Sequence, residues 1–514
     1  YCSADILARD VKCLKVVKRS AHRHSGGRLV TAALPLLFPG RDLPDVIVSG
    51  IALDSREVHP GDLFVALPGT VLDGRCFISK AIESGAQAIV SPTTVEVAQS
   101  NVPIIVVPEI QSSLGSIASN FYGEPSKQLE VAAVTGTNGK TSVTHFAASA
   151  MSYLSRRSGV IGTLGAGLIG DLDDVGLTTP DAVTFQKSLS RLARLGAEAA
   201  FVEASSHGLS QFRLDGTRIG AAVLTNLTRD HLDYHGNMLA YRQAKERLLD
   251  WPGLNVAVLN FDDPWTLELS RRPISAKVVT FSTRDSVADI AILNPVFDEL
   301  GSRFTLKTPV GSVKVQSGLL GMYNLSNLAA VAALLYWYRF GLEDIGAALE
   351  HCQPPPGRLE CVVRSDRTLW VDFAHTPDAV AQVLATMRQH FNGRLITVLG
   401  CGGDRDPGKR SAMGRIASDL SDICFFTSDN PRSEDPEKII DAMCANLSVP
   451  MPAERCLVDR QAAIFAAVDA VGPRDVGIVL GKGHESYQEI SGIRHPFSDR
   501  SVIQQASSRR EALL

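Results

Sequence analysis

The sequence predicts an α/β protein of three domains, and three observations carry that reading. Short apolar runs alternate with stretches of helical spacing from Asp45 onward, the pattern of βαβ units. Polar, turn-rich clusters follow the carboxyl ends of these runs, where open parallel sheets place their ligands. The chain has 514 residues, and a single core rarely grows beyond ~250.

The domains follow in order. Residues 1–33 form an extension expected to be disordered; its first 28 residues are basic and lack an apolar segment with a cleavage motif. Residues 34–127 make a small N-terminal α/β domain. Its strands are expected at 46–53, 61–67, 86–90 and 103–107, its helices at 77–84 and around 114–121. Gly123-Glu-Pro-Ser126 then reads as a linker. Residues 128–352 form a central P-loop ATPase-type doubly wound sheet, with strands at 131–135, 199–202 and 221–224 and helices from Val143, over 241–249 and over 328–338. Pro354-Pro-Pro-Gly-Arg358 is a stiff linker into a Rossmann-like C-terminal domain, 353–514. Strands there are expected at 368–373, 395–399, 423–427 and 477–480, and helices at 377–391, 413–420 and 437–447.

Composition narrows the function. A formal charge of −4 with 21% charged and 45% hydrophobic residues describes a globular protein without a basic surface for nucleic acid. No apolar run is long enough to cross a bilayer. Cys2, Cys13, Cys76, Cys352, Cys361, Cys401, Cys424, Cys444 and Cys456 are scattered without a C-x-x-C pair, which reads as reduced thiols in a cytoplasmic protein.

The most informative stretch is Gly136-Thr137-Asn138-Gly139-Lys140-Thr141-Ser142, between an apolar strand and a helix. Glycines there let a backbone approach phosphates, Lys140 reaches the β/γ-phosphates, and Thr141 or Ser142 reaches Mg²⁺. The usual loop has four residues before its Gly-Lys, and here only Thr137 and Asn138 intervene. Glu203 and His231 lie just past two further strand ends and can hold a cation near that loop, although either alone reads equally as a cap or loop residue. Taken alone, Lys245 is a snorkelling surface lysine, Asn324 and Asn327 are caps of the helix that follows, and Asp54-Ser-Arg56 and Asp73-Gly-Arg75 are surface turns. The Gly400–Arg410 loop carries charges of both signs, which suits a zwitterionic ligand as well as a phosphate.

Six motifs occurring in order make the reading specific: Thr-Gly-Thr-Asn-Gly-Lys-Thr (135–141), Glu-Ala-Ser-Ser-His-Gly-Leu (203–209), Asp-His-Leu-Asp-Tyr-His-Gly (230–236), Tyr-Arg-Gln-Ala-Lys (241–245), Pro-Gly-Arg (356–358) and Asp-Phe-Ala-His-Thr-Pro-Asp (372–378). Together they resemble the Mur ligases of peptidoglycan synthesis, over residues 34–505. The resemblance implies an ATP-dependent ligase that activates a carboxylate as an acyl phosphate for attack by an amine. It implies the branch that adds meso-2,6-diaminopimelate to UDP-N-acetylmuramoyl-L-alanyl-D-glutamate.

Carried over residue by residue, the resemblance implies nucleotide contacts at Asn324, Arg358 and Asp372 besides the loop 136–142. Two Mg²⁺ ions would lie among Thr141, Glu203, His231 and Lys245, the last as N6-carboxylysine. UDP-muramoyl-peptide contacts fall on Ser55, Thr178, Thr179, Ser205, Gln211 and Arg213, and Gly69-Thr-Val-Leu-Asp-Gly departs from the family pattern. Diaminopimelate contacts fall on Arg405, Asp429, Asn430, Pro431, Arg432, Gly481 and Glu485. A guanidinium at 432 would pair with the distal carboxylate, which lysine lacks. Small-molecule partners, no nucleic acid, no membrane and a monomer are expected. The alternatives are a lysine-adding ligase, a folylpolyglutamate-type synthetase, an ATPase that drives motion or transport, and a catalytically dead binding protein.

Overall fold

The computed structural model describes residues 31–69, 73–95, 101–365 and 367–511. The expected extension therefore lies outside the described residues up to position 30, as does Thr70-Val71-Leu72 of the departing segment.

The N-terminal sheet has four parallel strands in sequence order, Gly50–Ala52, Asp62–Val65, Ala88–Ser91 and Ile104–Val106. Both faces are covered, which is why these strands read as unbroken apolar runs. Leu63, Val65, Ala88 and Val90 face the helix Ile110–Phe121, while Phe64 and Ile89 face Ile78 and Ala81. The expected strand over 46–53 is split: Ile47–Val48 pairs with Ala32–Ala33, and Gly50–Ala52 joins the main sheet. The strand Ala32–Ala33 thus lies within the span 1–33 expected as an extension. This domain docks through Gly115, where an added Cβ would lie 2.0 Å from the Asp215 carbonyl oxygen of the central domain.

The central sheet has eleven strands. Seven run parallel, in the order Ser158–Gly162, Ala199–Glu203, Glu130–Thr135, Ala221–Leu224, Val256–Asn260, Lys277–Ser282 and Ile290–Asp298. Antiparallel strands extend both edges, through Gly165–Leu168 and Asp171–Asp173 on one side and Gly301–Thr308 and Gly311–Ser317 on the other. The register pairs Glu203 with Val134 and Leu224 with Thr135, so three strands end level with one another. Two helices, Lys140–Tyr153 and Met322–Trp337, bury this sheet's face. The second is apolar all round and begins six residues before the expected start at 328. Asn324 and Asn327 are accordingly buried inside its first turns, and Gly321 holds the cap position.

The C-terminal sheet has six strands in the order Glu360–Arg364, Thr368–Asp372, Val476–Leu480, Leu395–Cys401, Ile423–Ser428 and Cys456–Leu457, with only the first antiparallel. Asp372 pairs with Leu480 and Gly400 with Thr427, so the loops beginning at Phe373, Gly402, Asp429 and Gly481 leave one edge together. The seven described cysteines are free. No described helix is long and apolar enough to cross a membrane.

Candidate active site

One cavity of about 510 Å³ lies between the carboxyl edges of the central and C-terminal sheets. On the central side, Gly136 (φ 149°) and Gly139 (φ 89°) adopt backbone that L side chains avoid. A Cβ at Gly136 would lie 1.9 Å from Thr225 Oγ1 and one at Gly139 2.6 Å from Asn327 Oδ1. The loop is pinned from the neighbouring strand end. Thr137 N donates to Asn226 O at 2.9 Å and Asn138 N to Asn226 Oδ1 at 2.9 Å. The helix at Lys140 has no side-chain cap, which leaves its first amides to a ligand.

Glu203, 1% exposed, is the anionic centre. Its carboxylate accepts from Thr141 Oγ1 at 3.0 Å, Thr163 N at 2.8 Å and Thr163 Oγ1 at 3.2 Å. Its oxygens and the Thr141 hydroxyl form a hard donor set suited to Mg²⁺, which takes few protein ligands and keeps waters and substrate phosphates. Among the described residues no three His, Cys, Asp or Glu side chains group tightly enough to hold a metal ion by themselves. The fit is thus to an ion shared with a phosphate ligand. His231 sits in left-handed backbone (φ 54°) beside Asp230, Nε2 to Oδ2 at 3.5 Å. Burial pushes its imidazole down to about 4, leaving a ring lone pair free for a cation at neutral pH.

Lys245 is not a surface lysine: it is 1% exposed, and its Nζ donates to Gly136 O at 2.7 Å and lies 4.5 Å above the Tyr241 ring. Burial, aided by the Lys140 ammonium, holds its amine well below the ordinary lysine range.

The C-terminal domain completes the nucleotide side. Arg358 donates to Thr141 Oγ1 at 3.3 Å and stacks 4.4 Å over Phe373, and Asn138 donates to Asp378 Oδ2 at 3.1 Å across the domain boundary. Asp372 accepts from Leu359 N at 2.6 Å and Ala374 N at 2.7 Å, yet burial pushes its carboxyl up to about 6, against the pull of Arg358. Arg358 Nε and Tyr323 Oη are buried without a partner, and both residues line the cavity. Orphaned donors beside a free helix start fit a polar ligand such as ATP.

Thr178, Thr179, Ser205 and Arg213 line the same cavity. Arg213 donates to Thr179 O at 2.6 Å and, through Nε, to Gln211 Oε1 at 3.1 Å, so Gln211 stands behind the wall and orients the arginine. Ser55 lies apart from this cavity, buried in the N-terminal domain between Asp54 and Arg56, whose side chains pair with each other at 3.0 Å.

At the far end, Arg405, Asp429, Asn430, Arg432, Gly481 and Glu485 line the wall, whereas Pro431 does not. Arg432 (φ 51°) is held as an added strand: its N donates to Glu489 O at 3.0 Å and its O accepts from Ser491 N at 2.7 Å. These partners belong to the hairpin Tyr487–Ile490 and Ile493–Pro496, which the sequence reading missed. Alternation around Ser491-Gly492 was the available signal. Thr163 and His207 were missed too, although Thr163 directly follows a strand end.

Three family descriptions match the chain: Mur ligase family, catalytic domain at residues 47–122, Mur ligase middle domain at 134–335, and Mur ligase, glutamate ligase domain at 357–483. A relative from Ectopseudomonas mendocina, named UDP-N-acetylmuramoyl-L-alanyl-D-glutamate–2,6-diaminopimelate ligase, is 43% identical over 91% of this chain and 96% of its own. One of the same name from Pseudomonas syringae is 44% identical over 88% and 94%. A solved structure of a ligase of that name superposes with a TM-score of 0.68 at 36% identity, covering 94% of this chain and 99% of its own. The expected three-domain α/β architecture is that of these ligases, and the chain belongs to the Mur ligase family.

Proposed function

We propose that this Mur ligase joins meso-2,6-diaminopimelate to the D-glutamyl γ-carboxylate of UDP-N-acetylmuramoyl-L-alanyl-D-glutamate, with ATP cleaved to ADP and phosphate. The observation that carries the reading is a single cavity with a phosphate loop and Glu203 at one end and Arg432 and Glu485 at the other. A carboxylate is a poor electrophile. Transfer of the γ-phosphoryl group to its oxygen gives an acyl phosphate, and attack by the amine nitrogen then expels phosphate as the C–N bond forms.

Lys140 and the free amides of its helix bind the phosphates and meet charge that builds during transfer. Thr141, Glu203 and His231 would hold Mg²⁺, which supplies charge neutralisation and alignment of the phosphates. Lys245, its amine held by burial well below the ordinary lysine range, is poised to take up CO₂ as a carbamate, which would turn it into an anionic ligand. Asn324, Arg358 and Asp372 face the nucleotide. Thr178, Thr179, Ser205 and Arg213 face the muramoyl peptide, with Ser55 serving the uridine end from the first domain.

Arg432 decides between amino acids. Its guanidinium suits the second carboxylate of diaminopimelate bidentately, a partner lysine does not offer. Folylpolyglutamate-type activity is disfavoured by the muramoyl-peptide motifs and by the names of the relatives. The reading includes small-molecule substrates, a cytoplasmic location and a monomeric state. Phosphate release from purified protein tests it. Release is expected only with ATP, Mg²⁺, the UDP-muramoyl dipeptide and diaminopimelate together, and release without the dipeptide would remove the ligase assignment.

A further inference from the structure

Lys482 has a wholly buried side chain beside the amino-acid end of the cavity, and no role above uses it. Its Nζ donates to Glu485 Oε2 at 2.7 Å and to Asn430 Oδ1 at 2.9 Å, and lies 5.5 Å from the Tyr487 ring centre. Asn430 Nδ2 donates to that same Oε2 at 2.8 Å, and Asn430 Oδ1 also accepts from Glu489 N at 2.9 Å. Two donors therefore converge on one oxygen of Glu485. Among the described residues, nothing donates to the other oxygen.

We propose that Lys482 is a positioning residue for amino-acid selection, locking Glu485 so that a single carboxylate oxygen is offered to the incoming ligand's ammonium. A carboxylate left to rotate presents two oxygens and about four lone-pair directions. With Oε2 held by Lys482 and Asn430, only Oε1 remains, at a fixed place relative to Arg432. An ammonium and a carboxylate on one ligand must then match one separation, which is how a rigid site measures an α-amino-acid centre. The lysine also offsets the charge of Glu485, so recognition rests on the direction of the hydrogen bond more than on net attraction.

This inference rests on the proposed amino-acid substrate, and its test separates the two. Steady-state ligation is measured with meso-diaminopimelate and with L-lysine for the natural protein, Lys482→Met, Glu485→Gln and the double variant. Lys482→Met is expected to raise the diaminopimelate KM by about 10-fold or more, as loss of an outer-shell partner does. The ATP KM should change by less than about 2-fold, and the preference for diaminopimelate over L-lysine should shrink. The double variant should be no worse than Glu485→Gln alone, because Lys482 acts through Glu485. Equal rises in both KM values, or effects that multiply in the double variant, overturn the proposal. Should Lys482→Met not fold, Lys482→Leu, which likewise offers Glu485 no donor, carries the same comparison. If the natural protein shows no preference for diaminopimelate, the substrate reading itself fails. If that preference is intact but the effects multiply, only the inference about Lys482 fails.

Discussion

Lys140 and Lys245, from two different helices, direct their Nζ atoms at one acceptor, the carbonyl oxygen of Gly136, at 3.0 and 2.7 Å. Burial disfavours each charge and holds both pKa values down, and the nearby Lys140 ammonium adds to the fall at Lys245. The pair resolves if one lysine stays charged for phosphate while the other is neutral and open to CO₂. Equilibration with ¹³C-bicarbonate should give a carbamate resonance that Lys245→Arg lacks, and kcat of that variant should fall by about 10²–10³. Persistence of the resonance in the variant would show that another amine carries it.

Among the described residues, the Glu203 carboxylate hydrogen-bonds to no charged group, only to hydroxyls and an amide. Glu203→Gln keeps its shape and removes one anionic donor. The Mg²⁺ concentration for half-maximal rate is expected to rise by about 10-fold or more, with metal-free ADP binding nearly unchanged by calorimetry. An unaltered Mg²⁺ titration would count against Glu203 as a ligand.

Arg432 is fixed by its own backbone, donates to Gly403 O at 2.6 Å through Nη1 and pairs Nε with Glu489 Oε2 at 3.9 Å, which leaves Nη2 and the second N–H of Nη1 to a ligand. Arg432→Ala should raise the diaminopimelate KM by roughly 10- to 100-fold, the range for a lost charged hydrogen bond, and leave the ATP KM almost in place. Arg432→Lys should not restore it, because a point charge cannot pair bidentately. Matching shifts in both KM values would assign the residue a merely structural role.

Stability should fall in acid for an identifiable reason. Burial pushes His145 and His375 down to about 4 and His484 to about 3 from an ordinary value of 6.5. The unfolded chain therefore binds more protons than the native one between those limits, and stability rises with pH there. The contribution is complete above pH 6.5 and is lost as pH falls through about 4. Asp372, raised to about 6, and Asp263, also raised by burial, act in the opposite direction, but His207 and His231, pushed down to about 4 by burial, add to the three histidines and outweigh them. The thermal midpoint is expected to drop from pH 6.5 to pH 4, with net proton uptake on unfolding near pH 5. A rising midpoint would contradict this balance.

Where a candidate residue follows a strand end, its placement was legible in the sequence. Glu203, the loop after Thr135 and Asp429–Arg432 all follow the carboxyl ends of apolar runs; register sets the first two level in the central sheet and the last beside Gly400 in the C-terminal sheet. Lys245 was misread in isolation because its burial depends on Met238–Glu246 packing against the phosphate loop, a contact that neighbouring residues do not encode. Asn324 and Asn327 read as caps because the helix start was placed by its alanine-rich part, whereas Met322 and Leu325 already belong to it. The helix Ala182–Arg194 was passed over despite Asp181 capping two amides and an apolar face at Val183, Phe185, Leu189 and Leu192. Gln211 and Lys482 act through another side chain, and such second contacts leave no local spacing to detect.

The central claim is that one cavity activates a carboxylate with ATP and selects diaminopimelate as the amine. It is tested most directly by an amino-acid panel in a purified ligation assay, with the UDP-muramoyl dipeptide, ATP and Mg²⁺ held constant and the ligated product quantified. The account predicts product with meso-diaminopimelate and at least ~10²-fold lower kcat/KM with L-lysine, because Arg432 then faces no carboxylate. Equal turnover of L-lysine, or no product with diaminopimelate, would contradict it.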